Sequence, residues 1–337
     1  MNLKNGNRKV TIIIPTYNQS NYISQAIKSA LSQDYVNLEV IVSNDNSTDG
    51  TEKIIQKYVN NSRLRYFKNK ENLGRVENYK KALYTYATGE YVLFLDGDDY
   101  LIDNHYITDA VNLMQENKLM MVFAKKKVFF EKDKSFVEDK INDNLPNIID
   151  GDWLFLNYYK GYSIPHLSTL YNREYAMGID YYRTDILSSD WESVLRLIMK
   201  NKIGFVNKYI GIWRKHKTNE SKTGDLKKLI SNIKFIESPY QYALNNNFYK
   251  KGALNKWRER MLKRYFVKLI VRFLISNDKK DLRNIFKFIK KYDRKVYYLI
   301  VLDIRMFGLF LLSKNKKLLH YVFKNILKVE SFIKDFE

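Results

Sequence analysis

The stretch YVLFLDGDD, Tyr91–Asp99, runs apolar for five residues and then turns acidic. Tyr91–Leu95 suits a short buried strand, and the change of polarity at Asp96 ends it. The turn Asp96-Gly97-Asp98-Asp99 then gathers carboxylates at the carboxyl end of that strand. Two acids one residue apart can serve one metal–diphosphate unit. Mg²⁺ and Mn²⁺ take such hard oxygen ligands, usually one or two carboxylates plus substrate phosphates. Alone, an Asp-rich turn serves equally well to cap the next helix.

Upstream, strand and helix patterns alternate. Val10–Ile14 is an apolar run stopped by Pro15, and Glu39–Val42 and Leu64–Phe67 read as two further strands. Between Asn21 and Ser32 the apolar residues Tyr22, Ile23, Ala26, Ile27, Ala30 and Leu31 make one helical face. Thr51–Tyr58 and Asn78–Ala87 predict two more helices, with Tyr91–Leu95 as the fourth strand. Such alternation predicts an α/β fold with a mostly parallel sheet and helices on both faces. Ligands of such sheets bind beyond the carboxyl ends of the strands. The polar clusters after Ile14, Val42 and Leu95 all fall at that edge. Further on, Met120–Ala124 and Val128–Phe130 read as two strands, and Trp191–Met199 as a helix with Asp190 at its start.

The first cluster is Pro15-Thr16-Tyr17-Asn18. Tyr17 is suited to stack on a base and Asn18 to bond a base or ribose; a strand end followed by a helix cap is the plainer reading. The second, Ser43-Asn44-Asp45-Asn46-Ser47-Thr48-Asp49-Gly50-Thr51, offers carboxylates to a pyrimidine N–H, or forms an Asx turn and helix cap.

Taken in order, these segments resemble family 2 inverting glycosyltransferases, which have the GT-A fold. The carrying residues are Ile14-Pro15-Thr16-Tyr17-Asn18, Asn44-Asp45-Asn46-Ser47-Thr48-Asp49-Gly50-Thr51, Glu71-Asn72-Leu73-Gly74-Arg75 and Asp96-Gly97-Asp98-Asp99. The resemblance spans about residues 10–220. It implies a nucleotide-binding set of Pro15, Thr16, Tyr17, Asn18, Asp45, Arg75, Asp96 and Gly97, with Thr16, Tyr17 and Asp45 around the base and Asp96 on the ribose. Asn44 stands where the family pattern has the first of two acids, which leaves Asp45 as the base contact. Asp98 would hold the metal, Mn²⁺ or Mg²⁺.

The family carries an acidic pair at the start of a later helix. Here Ser188-Ser189-Asp190-Trp191-Glu192 matches it, with Ser189 in place of the first acid. Inverting transfer needs one carboxylate to take the acceptor's proton. Asp190 is the expected base and Glu192 the reserve. Trp213-Arg214-Lys215-His216 resembles a further family motif and makes His216 a second candidate metal ligand, with Arg214 or Lys215 facing phosphate. Trp191, Glu192, His166, Ser168 and Arg214 are expected to line the donor or acceptor cleft.

The resemblance implies transfer of one hexose or N-acetylhexosamine from a nucleotide sugar, expected to be UDP-linked. The acceptor would be a glycan or lipid-linked hydroxyl in bacterial surface polysaccharide synthesis. A Q-x-x-R-W pattern and multiple spans, usual in processive polymer synthases, are absent from the sequence, which favours single addition. The competing reading is a catalytically inactive relative acting as a scaffold or partner-binding protein.

The chain lacks cysteine, which excludes disulfides and thiolate chemistry. Its net charge of +21 is uneven, for residues 225–337 hold 27 Lys+Arg against 10 Asp+Glu. We therefore expect a GT-A catalytic domain over 1–224 and a basic, mostly helical region over 225–337. The basic region suits an anionic membrane surface or a homo-oligomer built through its helices. No nucleic-acid recognition module is visible, so nucleic acid is not expected as a partner. In Ala253–Ile275 an apolar stripe from Leu254 to Phe273 faces away from a basic one. Val296–Leu312 is nearly all apolar, but as a helix reaches only about 26 Å, short of a roughly 30 Å hydrocarbon core. Residues 1–10 are short, polar and basic, unlike a secretory signal. The expected location is cytoplasmic, peripheral on the inner face of the membrane.

Overall fold

The computed structural model describes residues 8–219, 224–304, 306 and 308. The chain divides into two compact units, Met1–Phe155 with Gly161–Arg214, and Leu156–Lys160 with Lys215–Glu337. The second unit thus begins ahead of residue 225 and takes in a short segment of the first half.

The first unit is built on one sheet. Its strands are β1 Val10–Thr16, β2 Leu38–Asn44, β3 Leu64–Lys68, β4 Tyr91–Phe94 and β5 Tyr100–Leu101, followed by β6 Met121–Phe130, β7 Ser135–Glu138, β8 Ile148–Asp150, β9 Thr169–Asn172 and β10 Lys202–Lys215. The order is β3-β2-β1-β4-β9-β6-β10-β5, with β7 on β6 and β8 on β10. Strands β3, β2, β1 and β4 are parallel to one another. All seven residues of β1 and of β2 are buried, as expected of strands covered on both faces.

Beyond β4 the sheet turns antiparallel, through β4–β9, β9–β6 and β6–β7. The parallel pattern is therefore confined to the nucleotide-side half. A four-residue turn, residues 131–134, joins β6 to β7, and so short a link permits only antiparallel pairing. The two strands expected over Met120–Phe130 are one. Lys125, Lys126 and Lys127 do not break it, because their stems lie along the sheet. Lys126 Nζ sits 3.9 Å from the Trp213 ring centre, Lys125 Nζ 4.3 Å from that of Tyr209, and Lys125 also pairs with Asp143.

Helices cover both faces. On one, α1 Ile23–Leu31 joins Val10, Ile12, Ile14, Val40, Val42, Leu93 and Leu95 in the core. After α2 Thr51–Ile55, helix α3 Arg75–Lys81 packs on the other face, where Tyr79 meets Phe94. The expected helix Asn78–Ala87 starts earlier, at Arg75, and ends in a π-helical turn, Ala82–Tyr86. Helix α4 Tyr106–Asn117 completes the first core; α5 Gly151–Asn157, α6 Arg173–Gly178 and α7 Ser189–Leu197 follow.

The second unit is helical: α8 Leu226–Ser231, α9 Lys234–Asn245, α10 Lys251–Ile275, α11 Lys279–Tyr292 and α12 Arg294–Val301. The apolar stripe of α10 is its buried face, with Leu254, Trp257, Met261, Leu262, Phe266 and Leu269 inside. Helix α12 accounts for the start of the apolar run Val296–Leu312; residues 309–312 lie outside the described residues. Among the described residues, no helix is long and apolar enough to cross a membrane.

Candidate active site

Three loops meet at the carboxyl ends of β1, β2 and β4, and backbone bonds join them. The Gly97 amide donates to Pro15 O at 3.2 Å, and the Asp45 amide to Thr16 O at 2.9 Å. Gly97 is small for a reason, since a Cβ there would stand 2.3 Å from Gln19 Oε1 and 3.0 Å from Thr16 Oγ1. Thr16 is buried and donates from its hydroxyl to Gln19 Oε1 at 2.8 Å. Asn18 has a positive φ of 51°, and its side-chain oxygen accepts from the Thr48 amide at 2.8 Å. Tyr17, between them, is 46% exposed, so its ring is open to a flat partner.

Asp45 is 2% exposed and largely engaged. Its Oδ1 accepts from Asn69 Nδ2 and the Leu73 amide, and its Oδ2 from the Gly74 amide, each at 2.9 Å. One lone pair of Oδ2 is left for a base N–H. These bonds clamp the Asn72-Leu73-Gly74 segment, where Gly74 has a φ of 86° that favours glycine. Helix α3 begins at the next residue. Asn69 also donates to Asn78 Oδ1 at 3.0 Å and accepts from Lys81 Nζ at 2.9 Å. Asn69 and Asn78 were missed in the sequence; a buried polar position on the inner side of a helical pattern was the available signal for Asn78.

The acidic turn holds ligand oxygens of Asp96, Asp98 and Asp99 all within 4.8 Å of one another. The Tyr79 hydroxyl donates to Asp96 Oδ1 in a short bond, a residue likewise missed in the sequence. Asp99 is 3% exposed. Burial pushes its carboxyl well above the usual range, and the charges of Asp98 and Asp96 push the same way. The turn therefore crowds three carboxyls together, two half-buried and Asp99 buried. Three hard oxygens under mutual repulsion fit a divalent cation such as Mg²⁺ or Mn²⁺.

Arg214 is bonded to this turn. Its amide donates to Asp99 Oδ1 at 2.9 Å, its Nε to Asp98 O at 2.9 Å and its Nη2 to Gln25 Oε1 at 2.6 Å. The rings of Tyr22, Tyr100 and Phe129 surround the guanidinium at 5.0, 5.2 and 5.7 Å. Arg214→Ala is expected to cost about 2–3 kcal/mol of stability through lost charge-assisted bonds. It should also raise the Mn²⁺ needed for half-maximal turnover, with partial rescue in Arg214→Lys. Unchanged melting and metal demand would remove Arg214 from this role.

Asp190 lies in the first turn of α7 and is half-buried. Its charge acts on the buried hydroxyls of Tyr181 and Tyr182. Tyr182 packs edge-on to Tyr79 at 5.4 Å and to Phe94 at 5.2 Å, and Tyr79 bonds Asp96. One aromatic cluster thus spans from the Asp190 helix to the acidic turn. His166 belongs to it, stacked on Phe94 at 5.4 Å with Nε2 3.4 Å from the Tyr182 hydroxyl. Arg75 also spans the two sides: its Nη2 donates to Ile186 O at 2.8 Å and Leu187 O at 3.0 Å, just ahead of α7.

Two expected cleft residues are internal. Ser168 is fully buried, and its hydroxyl donates to Ala124 O at 2.7 Å. Glu192 is also fully buried, and its carboxylate accepts from Arg196 twice at 2.8 Å and from Arg183 Nε at 3.1 Å. A carboxylate held this way cannot serve as the reserve base. Trp191 is half-buried beside Asp190. The His216 ring bonds with Thr218 and Asn219.

Comparison with known proteins agrees with this geometry. The chondroitin synthase of Pasteurella multocida is 46% identical over 93 residues, 27% of this chain and 9% of that protein. The Escherichia coli UDP-Glc:alpha-D-GlcNAc-diphosphoundecaprenol beta-1,3-glucosyltransferase WfaP is 37% identical over 145 residues, 43% of this chain and 55% of that protein. The matched parts thus span 9% to 55% of these relatives' own lengths. The crystal structure of Staphylococcus aureus TarS 1-349 in complex with UDP-GlcNAc superposes with a TM-score of 0.69 at 21% identity, covering 92% of this chain and 88% of that one, a likeness of fold. The model of Glycosyl transferase family 2 matches residues 11–176, the part of the chain that forms most of the GT-A-like mixed sheet.

Proposed function

We propose that the protein transfers one hexose or N-acetylhexosamine, with inversion, from a UDP-sugar to a hydroxyl of a glycan or lipid-linked acceptor in bacterial surface polysaccharide synthesis. The observation that carries this reading is the grouping of Asp96, Asp98 and Asp99 at the carboxyl end of β4, tied by backbone bonds to the end of β1. That grouping supports a diphosphate site, and the aromatic cluster of Tyr79 and Tyr182 beside it supports Asp190 as the base candidate.

Tyr17 stacks on the base, Asp45 offers its remaining lone pair to a base N–H, and Asp96 takes the ribose. Asp98 would hold the divalent cation, Mn²⁺ or Mg²⁺, with Asp99 and His216 as further candidate ligands. When bound, that ion offsets the negative charge of the departing diphosphate. Asp190 accepts the proton of the acceptor hydroxyl as its oxygen bonds the anomeric carbon. The bond from that carbon to the diphosphate oxygen breaks on the opposite face, and the configuration inverts. WfaP is named for a UDP-Glc donor and a diphosphoundecaprenol-linked acceptor, which supports both halves of the proposal.

Release of UDP, GDP and dTDP from their sugar conjugates, with Mn²⁺ and with a chelator, tests it. UDP release that stops on chelation is expected. Preference for a GDP- or dTDP-sugar would overturn the choice of donor, and full turnover with chelator would overturn the metal role. No release from any donor would favour the scaffold reading.

A further inference from the structure

The cations of α11 are not answered by acids. Lys279, Lys280, Arg283, Lys287, Lys290 and Lys291 are exposed, and none pairs with a described acid. Of the described acids of the second unit, Glu237 and Asp293 pair with Arg258, Asp303 with Lys263 and Glu259 with Lys295, while Asp278 caps α11 and Asp281, the one acid within it, accepts from Asn284. Ile285 and Ile289 form the buried side of α11, so its charge faces outward. A run of like charge this dense raises the local potential and needs an anionic partner to lower it.

Beside it lies an apolar row. In and just after α12, Tyr298 is 53% exposed, Leu299 40%, Val301 45%, Leu302 79% and Ile304 83%. Contacts bring the two features together: Lys290 Nζ is 5.8 Å from the Tyr297 ring centre, and Phe286 meets that ring edge-on at 6.5 Å. A soluble anionic polymer would match the cations and leave the apolar row in water. A second copy packed face to face would set the same cations against each other. An anionic bilayer matches both, with headgroups for the lysines and acyl chains for the leucine and isoleucine.

We propose that α11 and the end of α12 form a docking surface for an anionic lipid bilayer, on which the protein sits without crossing it. This proposal does not depend on the transferase reading, since it is tested without donor. The full chain is sedimented with phosphatidylcholine vesicles, with and without phosphatidylglycerol. Pelleting only with phosphatidylglycerol, weakened by high salt, is expected. At roughly fivefold per cation, Lys287→Gln/Lys290→Gln/Lys291→Gln should lower the partition coefficient by about a hundredfold. Leu302→Ser/Ile304→Ser should lower it as well, and both variants should melt like the wild type because the changed side chains are exposed. Pelleting unaffected by either variant overturns the proposal. So does binding of inorganic polyphosphate without vesicle binding, which assigns the cations to a soluble polymer. A concentration-dependent dimer that ignores vesicles assigns the face to a second copy.

Discussion

Asp190→Asn should lower kcat by about 10²–10⁴-fold while leaving donor binding and melting nearly unchanged. The expected selectivity follows from the residue's setting. Asp190 is half-buried in the first turn of α7, and no described side chain or amide donates to its carboxylate. Removing its charge therefore breaks no bond that holds the fold. Under the proposed function the donor would bind at the loops after β1, β2 and β4, to which Asp190 makes no bond among the described residues, so calorimetry with the donor should report an unchanged Kd. Hydrolysis of the donor by water needs less from the base than transfer to a sugar, so the ratio of hydrolysis to transfer should rise. Transfer at the wild-type rate would show that another group takes the proton.

The second large effect is on stability. Arg196→Leu should cost about 3–5 kcal/mol, because it strands a buried carboxylate. Arg196 and Glu192 are both 0% exposed, and the arginine also donates to the carbonyl oxygens of Ile179 and Asp180. Those carbonyls open a corner in which Asp180 and Tyr182 take positive φ values of 55° and 64°. Without the guanidinium the corner loses the donors that offset its backbone strain. Denaturant melts should show the loss. The double variant Glu192→Leu/Arg196→Leu should recover much of it, since a buried ion pair replaced as a unit is often close to neutral. A single variant as stable as the wild type would mean that Arg183, 29% exposed, neutralises Glu192 alone.

The parts of this protein that were legible in its sequence are those encoded locally. Val10–Ile14 and Tyr91–Leu95 could be read as strands because each is an uninterrupted apolar run with a polar break after it. The acidic turn was legible because its three carboxylates lie within four residues. The clamps were not. Arg214 reaches Asp98 and Asp99 from more than a hundred residues away, and the motif around it points to a site residue without showing these partners. Tyr79 looked like one more apolar position on a helix; its hydroxyl partner is supplied by another strand. Lys125-Lys126-Lys127 looked like a break in a strand because the rings that cover the lysine stems come from β10. The antiparallel half of the sheet was hidden for a related reason: a strand's residues show that it is buried, not which neighbour it lies beside.

If the proposed function holds, Arg75 sets a condition on exchanging acceptor preference with related transferases. The natural cassette to transplant would run from the corner at Asp180 through α7, carrying Asp190 with it. Its near end is pegged to the nucleotide half by one guanidinium that reads two successive carbonyls, Ile186 O and Leu187 O. A donor cassette one residue longer or shorter before its own acid would offer Arg75 the wrong carbonyls and swing the carboxylate off its mark. Compatible cassettes can thus be sorted by counting residues back from the acid, before any side chain is compared.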